Sequence, residues 1–157
     1  MKNFMDDQDF LLSTKTGEEL FHNFAEGMPI VDYHCHISPK EIWDDKRFEN
    51  ITEVWLGGDH YKWRLMRANG VDERFITGDA PAREKFQKWA ETLGRCVGNP
   101  VFEWSHLELK RYFGYEGVLN GKTAQEVWDL ANAKLAEASF TSVSYTHLRA
   151  HETDQYL

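Results

Sequence analysis

Cysteine is scarce in this chain. Only Cys35 and Cys96 occur, and they form no CxxC pair. That excludes a disulfide framework and makes a reduced, cytoplasmic chain the expectation. No apolar stretch approaches the ~18 residues of a membrane span, so no membrane association is expected. A basic run is missing too. Lys and Arg number 18 against 26 Asp and Glu, a formal net charge of −8, which argues against nucleic acid as a partner. Asp6, Asp7 and Asp9 stand where a secretory signal needs an apolar core. Length is short as well: a complete eight-fold β/α barrel takes at least ~200 residues, and 157 are present.

What is abundant is core material. Hydrophobic residues make up 41% and aromatic residues 14%, with 6 Trp and 10 Phe, enough for one domain of roughly 150 residues. Thr16-Gly17-Glu18-Glu19 reads as a capping box opening a helix with Leu20, Phe21 and Phe24 on one side and Gly27 at its end. Ile30-Val31-Asp32-Tyr33-His34 is the one convincing strand, short, β-branched and aromatic. Ser38-Pro39-Lys40-Glu41 then gives an N-cap, a proline at the first helical position and a capping-box acid. Two helical pieces are predicted between Asn50 and Asn69, separated at Gly57-Gly58. Phe86, Trp89, Ala90, Leu93 and Val97 fall on one face of a 3.6-residue period. Asn99-Pro100 reads as a break before a helix from Glu103 to Phe113, closed by Gly114. Thr123-Ala124-Gln125-Glu126 reads as a second capping box, with Ala124, Val127, Trp128, Ala131, Leu135 and Ala138 as the stripe behind it. The expectation is one strand and about six helices.

From Ser142 the text changes. Ser-Val-Ser-Tyr-Thr-His-Leu-Arg-Ala-His-Glu-Thr-Asp-Gln-Tyr-Leu shows neither apolar period nor cap logic. It resembles a translated adaptor peptide, so residues 142–157 are read as a non-native tail, with a genuine disordered terminus as the alternative.

Three clusters carry potential chemistry. In His34-Cys35-His36, alternation along a strand points both imidazoles to one side, where they could share a divalent metal. Two hydrogen-bonded histidines at a strand end would give the same text. Asp32 lies deeper on the same side and reads as a structural partner, while Cys35 faces the opposite side. Gly57-Gly58-Asp59-His60-Tyr61-Lys62-Trp63-Arg64 packs unusual polar density into a helix start. A phenol there can donate or accept a proton. Its structural reading is an N-cap Asp59 with Trp63 in the core and Lys62 and Arg64 solvated. Trp104-Ser105-His106-Leu107-Glu108-Leu109-Lys110-Arg111 has no metal-ligand pattern and reads mainly as structural.

These blocks, with Ile76-Thr77-Gly78-Asp79-Ala80 and Gly98-Asn99-Pro100, resemble the N-terminal part of the uronate isomerase (glucuronate isomerase) family of the amidohydrolase superfamily. The resemblance implies an α/β fold, the beginning of a metal-dependent (β/α)8 TIM barrel. Its first strand would lie near residues 29–35 and an α-helical insertion at about 38–138, within a region spanning residues 1–141. The chain itself would be predominantly α-helical. The resemblance further implies a divalent metal, zinc in most members, held by His34 and His36. Tyr61 and His60 match the family's proton-transfer tyrosine and its active-site neighbour, and Arg64 lies in the same substrate-binding block. The reaction would be isomerisation of D-glucuronate to D-fructuronate, or of D-galacturonate to D-tagaturonate. The family's third metal ligand, an Asp, and its substrate-carboxylate arginines have no counterpart here, so the chain alone is expected to be inactive. A homo-oligomer is compatible with a full-length protein. Another metal-dependent hydrolase of the superfamily, or a non-catalytic helical fragment, are the alternatives.

Overall fold

A computed structural model describes residues 5, 8–29, 36–137 and 140–141. The expected strand at Ile30–His34 lies outside the described residues, as do Asp32, His34, Cys35 and the tail from residue 142. Among the described residues all regular structure is helical. In chain order the α-helices are α1 (Lys15–Leu20), α2 (Pro39–Trp43), α3 (Ile51–Leu56), α4 (His60–Ala68), α5 (Ala82–Leu93), α6 (Pro100–Phe113) and α7 (Ala124–Leu135). A π-helical turn, Phe21–Ala25, continues α1, and a 3-10 turn, Glu73–Phe75, leads towards α5.

α5 is the hub, packed on α3, α4 and α7. Its face carries Phe86, Trp89, Ala90 and Leu93, all fully buried, as the 3.6-residue period predicts. Val97 does not continue that stripe: the helix ends at Leu93 and Val97 is 76% exposed. Ile51 and Trp55 of α3, Met66 of α4, Leu109 and Phe113 of α6, and Val127, Ala131 and Leu135 of α7 complete the core. Polar links fix the helices' relative positions. Ile51 N–H donates to Asn132 Oδ1 at 2.9 Å, and the Trp55 indole N–H donates to Glu108 Oε2 at 2.8 Å.

Side chains of Thr14, Ser38, Asn50, Asp59 and Asn99 cap five of the helix starts, with three departures from expectation. Ser38 and Glu41 form the reciprocal capping box of α2 as expected. α1 starts two residues early, because Thr14 rather than Thr16 is extended and accepts the Gly17 N–H at 3.0 Å. Asn99-Pro100 opens α6 instead of breaking the chain: Asn99 accepts the Val101 N–H, and proline occupies a position whose N–H would be orphaned anyway. Thr123 makes no side-chain cap on α7. Its hydroxyl turns back into the preceding loop, accepting from Asn120 N–H at 2.9 Å and donating to Val118 O at 2.8 Å. Gly114 ends α6 at φ +70°, the left-handed conformation that glycine adopts without penalty.

Candidate functional site

The site is built at the start of α4. The chain leaves α3 through Gly57, where a Cβ would stand 2.4 Å from the Glu53 carbonyl oxygen, so only glycine fits without backbone movement. Asp59 is the extended N-cap of α4, and its Oδ1 accepts the N–H groups of Tyr61 at 3.0 Å and Lys62 at 3.2 Å. This lifts His60 and Tyr61 onto the first turn. Asp59 Oδ2 receives the Lys62 ammonium at 2.6 Å. The Lys62 side chain is 12% exposed and the Asp59 side chain 13%, and the ammonium also lies 5.8 Å from the centroid of the Trp55 ring. Lys62 is therefore not the solvated residue of the structural reading: its charge is needed by the carboxylate beside it. Burial pushes the Asp59 carboxyl up, but the charge and hydrogen bonds of Lys62, with a smaller contribution from His36, outweigh it and hold the group below the usual carboxylate range. Trp63, expected in the core, is half-buried and packs against it, its indole N–H donating to Leu56 O at 2.7 Å.

His36 comes from the other side, two residues before the Ser38 cap. A Cβ at Gly58 would meet the His36 carbonyl oxygen at 3.3 Å, so the glycine pair runs close against this backbone. The His36 Nδ1 lies 3.5 Å from Asp59 Oδ2. Its ring stacks on His60 at 5.7 Å and on Tyr61 at 5.8 Å between centroids, while His60 and Tyr61 lie 4.6 Å apart. The Arg64 guanidinium carbon sits 5.6 Å from the Tyr61 ring centroid. Tyr61 is 49% exposed, which leaves the phenol facing solvent.

The structure thus brings together His36, His60, Tyr61 and Arg64, four of the five residues singled out from the sequence. His34 lies outside the described residues. Among the described residues no three His, Cys, Asp or Glu side chains converge to hold a metal ion. His36 nevertheless fits one arm of such a centre. A carboxylate against one ring nitrogen is the usual support of a metal-bound imidazole and leaves the other nitrogen for the metal. Asp59 does not fit as a ligand, because its oxygens already serve the helix cap and Lys62.

His106 does not join this cluster. It is 1% exposed, its Nδ1–H donates to Phe102 O at 2.6 Å, and its Nε2 accepts the Leu119 N–H at 2.9 Å. Burial holds its imidazole below the ordinary histidine value, so the ring is a neutral strut between α6 and the loop before α7. The sequence reading missed Lys62 as a partner. The signal was there: a lysine three residues after an N-cap aspartate is on the adjoining helix surface.

The sequence profile of the glucuronate isomerase family matches residues 1–149. A uronate isomerase of Lachnospira eligens is 70% identical over 141 residues, covering 90% of this chain and 30% of that protein. One of Endomicrobium trichonymphae is 63% identical over 144 residues, covering 92% and 31%. Among solved structures, the uronate isomerase of Thermotoga maritima superposes with a TM-score of 0.80 at 39% identity, covering 94% of this chain and 32% of that one. The glucuronate isomerase of Caulobacter crescentus shares the fold, with a TM-score of 0.78 at 23% identity. The chain spans about 30% of the length of the curated relatives it matches. Among the described residues no helix is long and apolar enough to cross a membrane.

Proposed function

The chain belongs to the glucuronate isomerase family, and from that premise we propose that it supplies the first part of a hexuronate aldose–ketose isomerase site. The substrates are D-glucuronate or D-galacturonate and the products D-fructuronate or D-tagaturonate. The observation that carries this reading is the solvent-facing stack of His36, Tyr61 and His60, with Arg64 beside Tyr61.

The chemistry moves a proton between C2 and C1 of the open-chain sugar. A group able to give and take a proton is needed at the reacting carbons. Tyr61 offers its phenol for that role, and the adjoining His60 shares its ring face. Arg64 offers a guanidinium to a substrate oxyanion or carboxylate. The metal-dependent (β/α)8 barrel of the amidohydrolase superfamily is the architecture we assign to the complete fold, with residues 29–35 as its first strand. His34 and His36 would hold the divalent metal, which we take to be zinc, together with an Asp outside this chain. When bound, such an ion supplies positive charge against the developing enediolate oxygen. A reduced cytoplasmic setting suits the free Cys96 thiol. A homo-oligomer suits the full-length protein.

Two assays test this. In a full-length uronate isomerase carrying these N-terminal residues, Tyr61→Phe is expected to lower kcat by roughly 100-fold or more, the scale of a lost proton-transfer group. An unchanged kcat removes Tyr61 from that role. The 157-residue chain alone, supplied with zinc and D-glucuronate, is expected to show no turnover, because the described residues gather no three-ligand set. Turnover above a metal-free control would overturn the two-out-of-three ligand assignment.

A further inference from the structure

Behind the stacked rings lies a second layer that the isomerase chemistry does not use. Asp59 is a nearly buried carboxylate engaged on every side: its Oδ1 holds the start of α4, and its Oδ2 faces both the Lys62 ammonium at 2.6 Å and the His36 Nδ1 at 3.5 Å. A buried carboxylate without a counter-charge turns towards water or protonates, since its desolvation is costly. Lys62 prevents both. Its own position is dictated from below by the Trp55 ring, whose indole N–H is anchored to Glu108 on α6. Trp55 is 1% exposed and part of the core. A continuous path therefore runs from the helical core through Trp55 and Lys62 to Asp59, and from Asp59 to His36 and the first turn bearing His60 and Tyr61.

We propose that Lys62 is a positioning residue: its ammonium fixes the Asp59 carboxylate, and that carboxylate sets the His36 ring over Tyr61 and His60. This deepens the isomerase reading and rests on it for its functional meaning. Its geometric content is measurable without turnover. The Lys62 side chain is 12% exposed, with its ammonium between Asp59 and the Trp55 ring of α3. A neutral side chain at position 62 leaves Asp59 without its counter-charge, so the carboxylate leaves its site and His36 loses the support that orients it. Arginine at position 62 keeps a positive charge beside Asp59.

The experiment is proton NMR of the 157-residue chain at fixed pH, reading nuclear Overhauser contacts between the ring protons of His36 and those of Tyr61 and His60. The Trp89 indole signal is the reference for an intact core. In Lys62→Met the His36–Tyr61 and His36–His60 contacts are expected to be lost, with the Trp89 signal unchanged. In Lys62→Arg they are expected to persist. Lys62→Gln provides the same test where the Met variant does not fold. Contacts that survive in either folded neutral variant overturn the proposal, as does their loss in Lys62→Arg. Loss of the native Trp89 signal in both neutral variants also overturns it, since Lys62 would then be a residue of the core. An unchanged kcat in the full-length Tyr61→Phe assay is a separate result. It bears on the function and leaves the ring geometry standing.

Discussion

The helices from Ile51 to Leu135 and the segment from Gln8 to Trp43 were written with the same kind of signals, and they end in opposite environments. α3 to α7 each bury residues, and together they enclose Trp55, Phe86, Trp89, Met66 and Leu109. α1, the π-helical turn and α2 bury none. Leu20 is 57% exposed, Phe24 70% and Trp43 88%. An apolar period states which side of a helix is greasy, and burial needs a second surface opposite it. Within the first segment His22 is held between two carboxylates, Glu26 and Asp9, and just ahead of the segment Lys110 Nζ of α6 donates to Met5 O at 2.8 Å. The candidate site lies on the seam: His36 belongs to the lightly held segment, and His60, Tyr61 and Arg64 belong to the packed block.

Substitution of tryptophans breaks the comparison most sharply. Trp89 is fully buried and its indole N–H has no hydrogen-bond partner among the described residues, so its contribution is apolar packing. Trp89→Ala is expected to cost about 3–5 kcal/mol in a denaturant titration, the usual range for removing a core aromatic. Trp43→Ala is expected to change stability by less than ~0.5 kcal/mol, as at an ordinary surface position. Similar losses at both sites would mean that α2 has a buried face after all.

His106→Ala comes next. The change removes a packed ring and takes from the buried Leu119 N–H its imidazole acceptor, at a cost of about 2–4 kcal/mol. The folded ring has a lowered pKa, so the unfolded chain binds the proton more readily. Stability is then present above the unfolded value near 6.5 and is lost as pH falls through the lower folded value. Denaturation midpoints across pH 4.5 to 8 should show this acid loss in the native chain, and His106→Ala should flatten it. An unaltered slope would take His106 out of the explanation.

A smaller effect is expected at the seam. Gly57→Ala forces a Cβ to within 2.4 Å of the Glu53 carbonyl, whereas Gly58→Ala meets the His36 carbonyl at 3.3 Å. The first is expected to cost about 1–3 kcal/mol, as overpacking does, and the second less. The reverse order in matched thermal melts would mean that the seam, not the α3 end, is the tighter place.

The same contrast explains what the sequence disclosed. The α5 stripe, the Gly57-Gly58 break and the Ser38-Glu41 box were legible because period, glycine and cap each act within four residues. The cluster of His60, Tyr61 and Arg64 was legible from its density and its resemblance to a family. The meeting of His36 with these rings was implied only by that resemblance, because no local rule relates residue 36 to residue 60. Lys62 was misjudged as solvated for a physical reason: its burial depends on Trp55 and the fold of α3 over α4, which the α4 sequence does not contain. Thr16 and Thr123 were misread as caps because neighbouring Thr14 and the Asn120 turn offered competing hydrogen bonds. The exposure of Leu20 and Phe24 was illegible for the converse reason: the stripe is there, and no surface among the described residues buries it.

The least effect, and the most selective, concerns His22. Its Nδ1 lies 3.0 Å from Glu26 Oε2 and its Nε2 3.0 Å from Asp9 Oδ1. Carboxylates only accept, so both ring nitrogens must donate, and that requires the imidazolium. The hydrogen bond to Asp9 and then that to Glu26 raise the His22 pKa above its ordinary value. A raised pKa in the folded chain gives stabilisation that is complete below about 6.5 and disappears as pH rises through the higher folded value. The adjoining hollow of about 540 Å³ is also lined by Arg111 of α6. Amide hydrogen exchange, corrected for its intrinsic pH dependence, should show protection of residues 9–26 falling between pH 6 and 9 while α5 stays constant. His22→Gln should remove the difference. If α5 lost protection in step, the two regions would be one cooperative unit. A decline confined to residues 9–26 would show that this segment is fastened by a titrating contact, while the block behind Tyr61 is fastened by packing that pH does not reach over that range.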